Sequence, residues 1–115
     1  MSTLIKPSSS NQENVKLLSN SCPVNEILRK ISARWKMQLL FSIREGDAQY
    51  NKLKRRFSSL SDQILSKRLR ELENEGLVKK QIHRHTHPQH ITYTVTEQAL
   101  QLLQILDDLC KWGQP

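Results

Sequence analysis

A chain of 115 residues, 37% apolar and 25% charged, suits one compact domain with a modest core, of the size that often gains stability by oligomerising. No apolar run approaches the roughly 18–20 residues of a membrane span. The N-terminal MSTLIKPSSSNQEN lacks the apolar stretch of a secretory signal, and two cysteines cannot build a secreted disulfide framework, so a reducing cytoplasm is expected and no membrane partner.

The net charge of +7 comes from 18 Lys/Arg against 11 Asp/Glu, and its location matters more than its size. Positions 49–90 hold ten Lys/Arg (52, 54, 55, 56, 67, 68, 70, 79, 80, 84) against four acids (62, 71, 73, 75), whereas positions 96–115 hold three acids against Lys111. A basic working face for a polyanion, with a near-neutral face elsewhere, accounts for that asymmetry. A solvated surface that merely keeps the protein soluble is the plainer alternative.

Positions 1–20 are rich in Ser, Asn and Gln with Pro7 and read as a flexible N-terminal arm, leaving 21–115 as the folded domain. Pro23 suits the first position of a helix over about 23–31, whose Val24, Ile27, Leu28 and Ile31 recur at helical spacing. Cys22 then sits at the N-cap, where free N–H groups and the helix dipole favour a thiolate. A second helix begins near Ala33, carries Trp35, Leu39, Leu40 and Ile43 on one face and ends at Gly46. A third, about 49–56, turns Tyr50 and Leu53 inward, with Phe57 just beyond, and turns Lys52, Lys54, Arg55 and Arg56 outward.

Ser61 is a good N-cap for a fourth helix that reaches Glu75 and stops at Gly76. Leu65, Leu69 and Leu72 form its buried stripe, and Gln63, Ser66, Lys67, Arg70 and Asn74 lie opposite. The period then changes: Leu77-Val78 opens a strand, Thr86–Gln89 turn, and Ile91, Tyr93 and Val95 alternate on the return. Thr96 caps a last helix, about 97–112, whose leucines, with Cys110 among them as an inert filler, cover too much of its circumference for one core-facing stripe. Such a helix is buried on several sides or shared with a second subunit, and Leu102, Leu103, Leu106 and Leu109 are the expected dimer contacts.

Helix, helix, short basic helix, polar-faced helix, hairpin, long helix: the order predicts a mainly α winged helix-turn-helix with a small β-hairpin. In that fold a recognition helix enters the major groove of double-stranded DNA and the wing touches the flanking backbone. Gln63, Ser66, Lys67 and Arg70 are placed to read base edges. Lys52, Lys54, Arg55, Arg56, Lys79, Lys80, Arg84 and His85 would hold phosphates.

The stretches CPVNEILRKISARWKMQLLFSIREG, YNKLKRRFSSLS, LSKRLRELENEGLVKK, ITYTVT and LLQILDDLCKW together resemble the HxlR-type winged-helix transcription regulators, relatives of the MarR group. The resemblance implies a homodimer built mainly from the terminal helices on a partly palindromic operator. It also implies a small-molecule or oxidant effector sensed through the N-terminal cysteine, which maps onto Cys22. Two departures stand out: the wing reads Pro88-Gln89-His90-Ile91-Thr92-Tyr93 where the family usually has Pro-Pro-basic-Val-Glu-Tyr, and Ala99 replaces a glycine.

In HRHTHPQH, alternating His83, His85 and His87 would share one strand face and could bind Zn²⁺, Ni²⁺ or Cu²⁺, although nothing in the resemblance calls for a metal and no cofactor is expected. Enzyme readings lack parts. With Gly46, Gly76 and Gly113 as the only glycines there is no phosphate-cradling loop, and no nucleophile set is motivated. A winged-helix protein-interaction module and a metal-responsive repressor remain the alternatives to a DNA-binding regulator.

Overall fold

The computed structural model describes residues 23–46 and 48–114; the N-terminal arm and Cys22 lie outside them. The chain divides into two compact units, 1–33 and 34–115. In the first, α1 spans Val24–Ile31 with Pro23 as its N-cap. Pro23 holds φ −79°, ψ 30° and its carbonyl accepts from the Ile27 amide at 3.1 Å, so it is the half-in flanking residue rather than the first helical one. Val24, Ile27 and Leu28 are 43%, 49% and 47% exposed.

In the second unit, α2 (Lys36–Arg44) begins later than the expected Ala33 because Trp35 is left-handed, at φ 74°. That conformation costs a bulky residue roughly 1–2 kcal/mol. Trp35 meets the Phe57 ring edge-on at 6.3 Å, and its carbonyl still accepts from the Leu39 amide at 3.0 Å. Gly46 closes α2 at φ 115°, its amide donating to the Ile43 carbonyl. The short α3 (Tyr50–Arg56) buries Leu53.

The next helix, α4 (Asp62–Asn74), starts where the Ser61 hydroxyl accepts from the Ile64 amide at 3.2 Å. It ends in a Schellman motif: the Gly76 amide donates to the Glu73 carbonyl and the Leu77 amide to that of Leu72, with Gly76 at φ 75°. Leu65, Leu69 and Leu72 are buried as a stripe.

Strands β1 (Val78–His83) and β2 (His90–Val95) pair antiparallel, with Val78 opposite Val95, Lys80 opposite Tyr93 and Ile82 opposite Ile91. Directly opposed residues share a face. The face with buried Val78 and Tyr93 thus also carries Lys80, while Lys79 falls on the other. The hairpin is tied to the segment before α3, because the Tyr93 amide donates to the Ala48 carbonyl at 2.7 Å.

The last helix, α5 (Glu97–Gly113), is capped by Thr96, whose hydroxyl accepts from the Ala99 amide at 3.2 Å and donates to the Gly76 carbonyl at 2.7 Å. Arg44 at the end of α2 meets Asp107 of α5 at 3.0 Å. Leucines of α2, α3 and α4 form the core with Leu77, Val78, Tyr93, Ala99 and Leu103.

Three expectations for the second half of the chain need correction. Leu103 has no exposed surface, so it is core and cannot meet a partner. Leu102 and Leu106 pack partly on that core, whereas Ile105, Leu109 and Trp112 are 63%, 51% and 83% exposed. Cys110, read as a buried filler, is exposed. The histidine alternation also fails: β1 stops at His83, and His85 and His87 fall in the turn. Among the described residues no group of three His, Cys, Asp or Glu could hold a metal ion.

Candidate nucleic-acid interface

The charged and polar residues of α4 separate into two sets. On one flank Lys36, with a side chain only 3% exposed, lies 2.7 Å from Glu75 and 4.0 Å from Glu71. Glu71 in turn accepts from Arg68 at 2.9 Å, and the Arg68 Nε donates to the Arg34 carbonyl at 2.8 Å. These groups fasten α4 to the start of α2. They are structural, and burial of the Lys36 ammonium makes its pairing obligatory.

The other set faces water. Gln63, Lys67 and Arg70 are exposed along the side opposite the leucine stripe, bordering a shallow groove with Asp62 and Ser66. Lys67 and Arg70 form no ion pair with any described residue. Ser66 is half-buried, its hydroxyl 3.3 Å from that of Tyr50, so it sits at the margin of the face. Asn74, at the last turn, is exposed as well.

Around this helix the basic residues are distributed unevenly. Lys52, Arg55 and Arg56 are exposed on α3. Lys54 pairs with Asp62 at 3.3 Å, both partners more than half exposed, a contact weak enough for a phosphate to replace. Lys79 projects from the outer face of the wing, Lys80 lies on its helix-facing side, and Arg84 and His85 are exposed at the tip. There His83 stacks on His90 with ring centroids 4.5 Å apart. The His83 Nε2 lies 2.9 Å from the Thr92 hydroxyl and the His90 Nδ1 3.0 Å from that of Thr86, so these two rings brace the hairpin.

Among the described residues, two titrating groups are shifted. Burial pushes the Tyr93 phenol up to about 12, with Glu73 and Tyr50 adding to it. Its hydrogen bond with Asp107 holds the Arg44 guanidinium more firmly protonated than usual.

An exposed polar helix flanked by a basic helix and a basic hairpin is the arrangement of a winged helix-turn-helix. A model of the HxlR-like helix-turn-helix proteins matches residues 30–115. The chain belongs to this family. HxlR-like proteins are DNA-binding transcription regulators, not enzymes. An uncharacterised HTH-type transcriptional regulator of Halalkalibacterium halodurans is 35% identical over 92 residues, 79% of this chain and 80% of the relative. One of Methanothermobacter thermautotrophicus is 30% identical over 93 residues, 81% of this chain and 70% of the relative. Among solved structures, the oxidised form of the redox regulator HypR superposes with a TM-score of 0.69 at 32% identity, covering 80% of this chain and 94% of HypR. A MarR-family regulator of Porphyromonas gingivalis gives 0.68 at 25% identity, covering 95% and 96%. No described helix is long and apolar enough to cross a membrane.

The buried Lys36 cluster is the part of this HxlR-like face that sequence reasoning missed. Glu71 and Glu75 stand one turn apart on the flank of α4, and that spacing was the available signal. Their partner, though, lies 39 residues from Glu75.

Proposed function

We propose that this protein is a homodimeric, sequence-specific transcription regulator of the cytoplasm. Its α4 would read an operator through Gln63, Lys67 and Arg70, with Ser66 at the margin. The observation that carries the reading is the sorting of charges on α4: Arg68, Glu71 and Glu75 are committed to holding the fold, while Lys67 and Arg70 face solvent without an ion-pair partner among the described residues. A helix that only docked another protein would have no need of two solvent-facing cations on that side. Guanine O6/N7 accepts from Arg or Lys, and adenine pairs with Gln. Lys52, Lys54, Arg55, Arg56, Lys79, Lys80, Arg84 and His85 would fix the register on phosphates.

The test is enrichment of duplexes from a random library, followed by gel-shift titration of the selected site. Lys67→Ala and Arg70→Ala should each cost about 1–3 kcal/mol there and relax the base preference. Arg55→Ala should weaken all sequences alike and flatten the salt dependence. Unchanged preference in both α4 variants would sink the assignment.

Response to oxidants or electrophiles through a thiol is supported by the similarity to HypR, named as a redox regulator. Cys22 is the first thiol to test. Cys110 is the second, because an exposed sulfur on α5 is open to reagents and to the same sulfur of a neighbouring copy. Diamide or quinone should lower operator affinity in the wild type and leave Cys22→Ser unaffected; indifference of the wild type would end the proposal.

A further inference from the structure

Between α4 and the wing lies a cleft of about 210 Å³. From α4 it takes Ser66, Arg70 and Glu73, whose spacings of four and three residues put them on one side of the helix. The hairpin contributes Lys80, Ile91 and Tyr93 from its inner face, and Tyr50 from the start of α3 completes the lining. Arg70, Lys80 and Glu73 form no ion pair with any described residue, although Arg70 and Glu73 stand three apart on one helix.

The chemistry of the lining is that of an oxyanion seat with one exception. Arg70 and Lys80 supply positive charge from two different elements, and Ser66, Tyr50 and Tyr93 supply hydroxyls. A guanidinium fork and an ammonium lining one cleft match a phosphate better than a carboxylate, because two cations can meet two negative charges. Glu73 is the exception, and it is informative. Its carboxylate repels a second anion and accepts hydrogen bonds, which a hydroxylated body without a second negative charge can donate. At about 30 Å³ per water the cleft holds roughly seven waters, which fits a ligand on the order of ten non-hydrogen atoms.

We propose that this cleft binds a free phosphate monoester with a small polyol body, and that the ligand lowers DNA affinity by drawing Arg70 and Lys80 onto its phosphate. The regulatory half rests on the DNA-binding reading of α4. The lining does not include Cys110, and the site couples to the operator because Arg70 borders both the cleft and the outer groove of α4.

The phosphate chemistry is shared with the DNA backbone, so free ligand is measured first without DNA. Calorimetry on the full chain uses glycerol 3-phosphate, inorganic phosphate and glycerol. Glycerol 3-phosphate should bind about tenfold more tightly than inorganic phosphate, and glycerol not at all. Arg70→Gln and Lys80→Gln, both exposed positions, should each weaken it about tenfold, whereas Lys111→Gln, with the same charge change, should not. Glu73→Gln should narrow the preference over inorganic phosphate. On the library-selected duplex at fixed ionic strength, glycerol 3-phosphate at about ten times its Kd should lower affinity roughly tenfold. Failure of glycerol 3-phosphate to bind, or binding indifferent to Arg70→Gln and Lys80→Gln, overturns the proposal. If it does not bind while a methylphosphonate at one backbone position removes the contribution of Lys80 to DNA affinity, the cleft seats DNA alone. That result also overturns the free ligand but leaves the DNA-binding reading standing.

Discussion

The Lys36 ammonium lies 2.7 Å from Glu75 with its side chain 3% exposed, while Glu75 keeps 29% of its surface. The two partners therefore differ in what their loss leaves behind. Glu75→Ala leaves the buried Lys36 ammonium with Glu71 at 4.0 Å in place of a carboxylate at 2.7 Å, and should cost about 1–3 kcal/mol. Lys36→Met refills the volume and leaves a carboxylate that solvent can hydrate, so it should cost less; urea unfolding of both variants measures the order. Tyr93 makes a pH prediction. Its folded pKa, raised to about 12, exceeds the ordinary value of about 10. Its contribution is thus complete below pH 10 and lost as pH rises toward 12. Unfolding free energy should fall across that window more steeply in the wild type than in Tyr93→Phe. At this scale the sequence was only partly legible. Tyr93 could be placed inward because strand alternation is local, whereas Lys36 reads as a surface lysine until the fold supplies acids from a distant helix.

Elements were the most legible level. Ser61, Thr96, Gly46 and Gly76 act at the helix ends where their side chains, or the lack of one, suit them. Each such signal is a bond or torsion within a few residues. The misread boundaries were decided by tertiary contacts: Trp35 delays α2 in a left-handed conformation beside Phe57. β1 ends at His83, paired with and stacked on His90, and the turn that follows removes the alternation a metal site would have needed. Helix periodicity also showed that α5 carries too many leucines, but not which of them the core claims. Gly76 sets the angle at which the chain leaves α4 for the wing. With φ 75° and the Gln98 side chain 3.5 Å from where a Cβ would stand, Gly76→Ala should cost about 1–2 kcal/mol in thermal or urea unfolding. Its DNA affinity should fall by more than that loss of folded protein explains, because the wing departs at the wrong angle.

The whole molecule presents a basic side around α4 and an apolar line on α5. Ile105, Leu109 and Trp112 follow one another at spacings of four and three, all more than half exposed, and a second copy is the proposed cover. Ile105→Glu with Leu109→Glu should turn a dimer into a folded monomer by light scattering and weaken operator binding with the basic face intact. Leu103→Ala, buried in its own subunit, should instead cost about 2–5 kcal/mol of stability. A wild-type monomer at micromolar concentration would remove the dimer. If the dimer holds, two α4 helices should read half-sites roughly 34 Å apart, one turn of DNA.

The root of the hairpin is fixed differently from its tip. At the root, the Tyr93 amide meets the Ala48 carbonyl and the Thr96 amide that of Leu77, both through groups that every residue but proline carries. At the tip, the Thr86 hydroxyl gathers the carbonyls of His83 and Pro88 and the ring of His90. With Thr86 kept, the rest of residues 84–89 can therefore be rewritten while the root holds the strands. A graft there, whether a longer basic loop or a peptide with its own target, changes how far the protein reaches along a duplex and leaves intact the frame that aims α4.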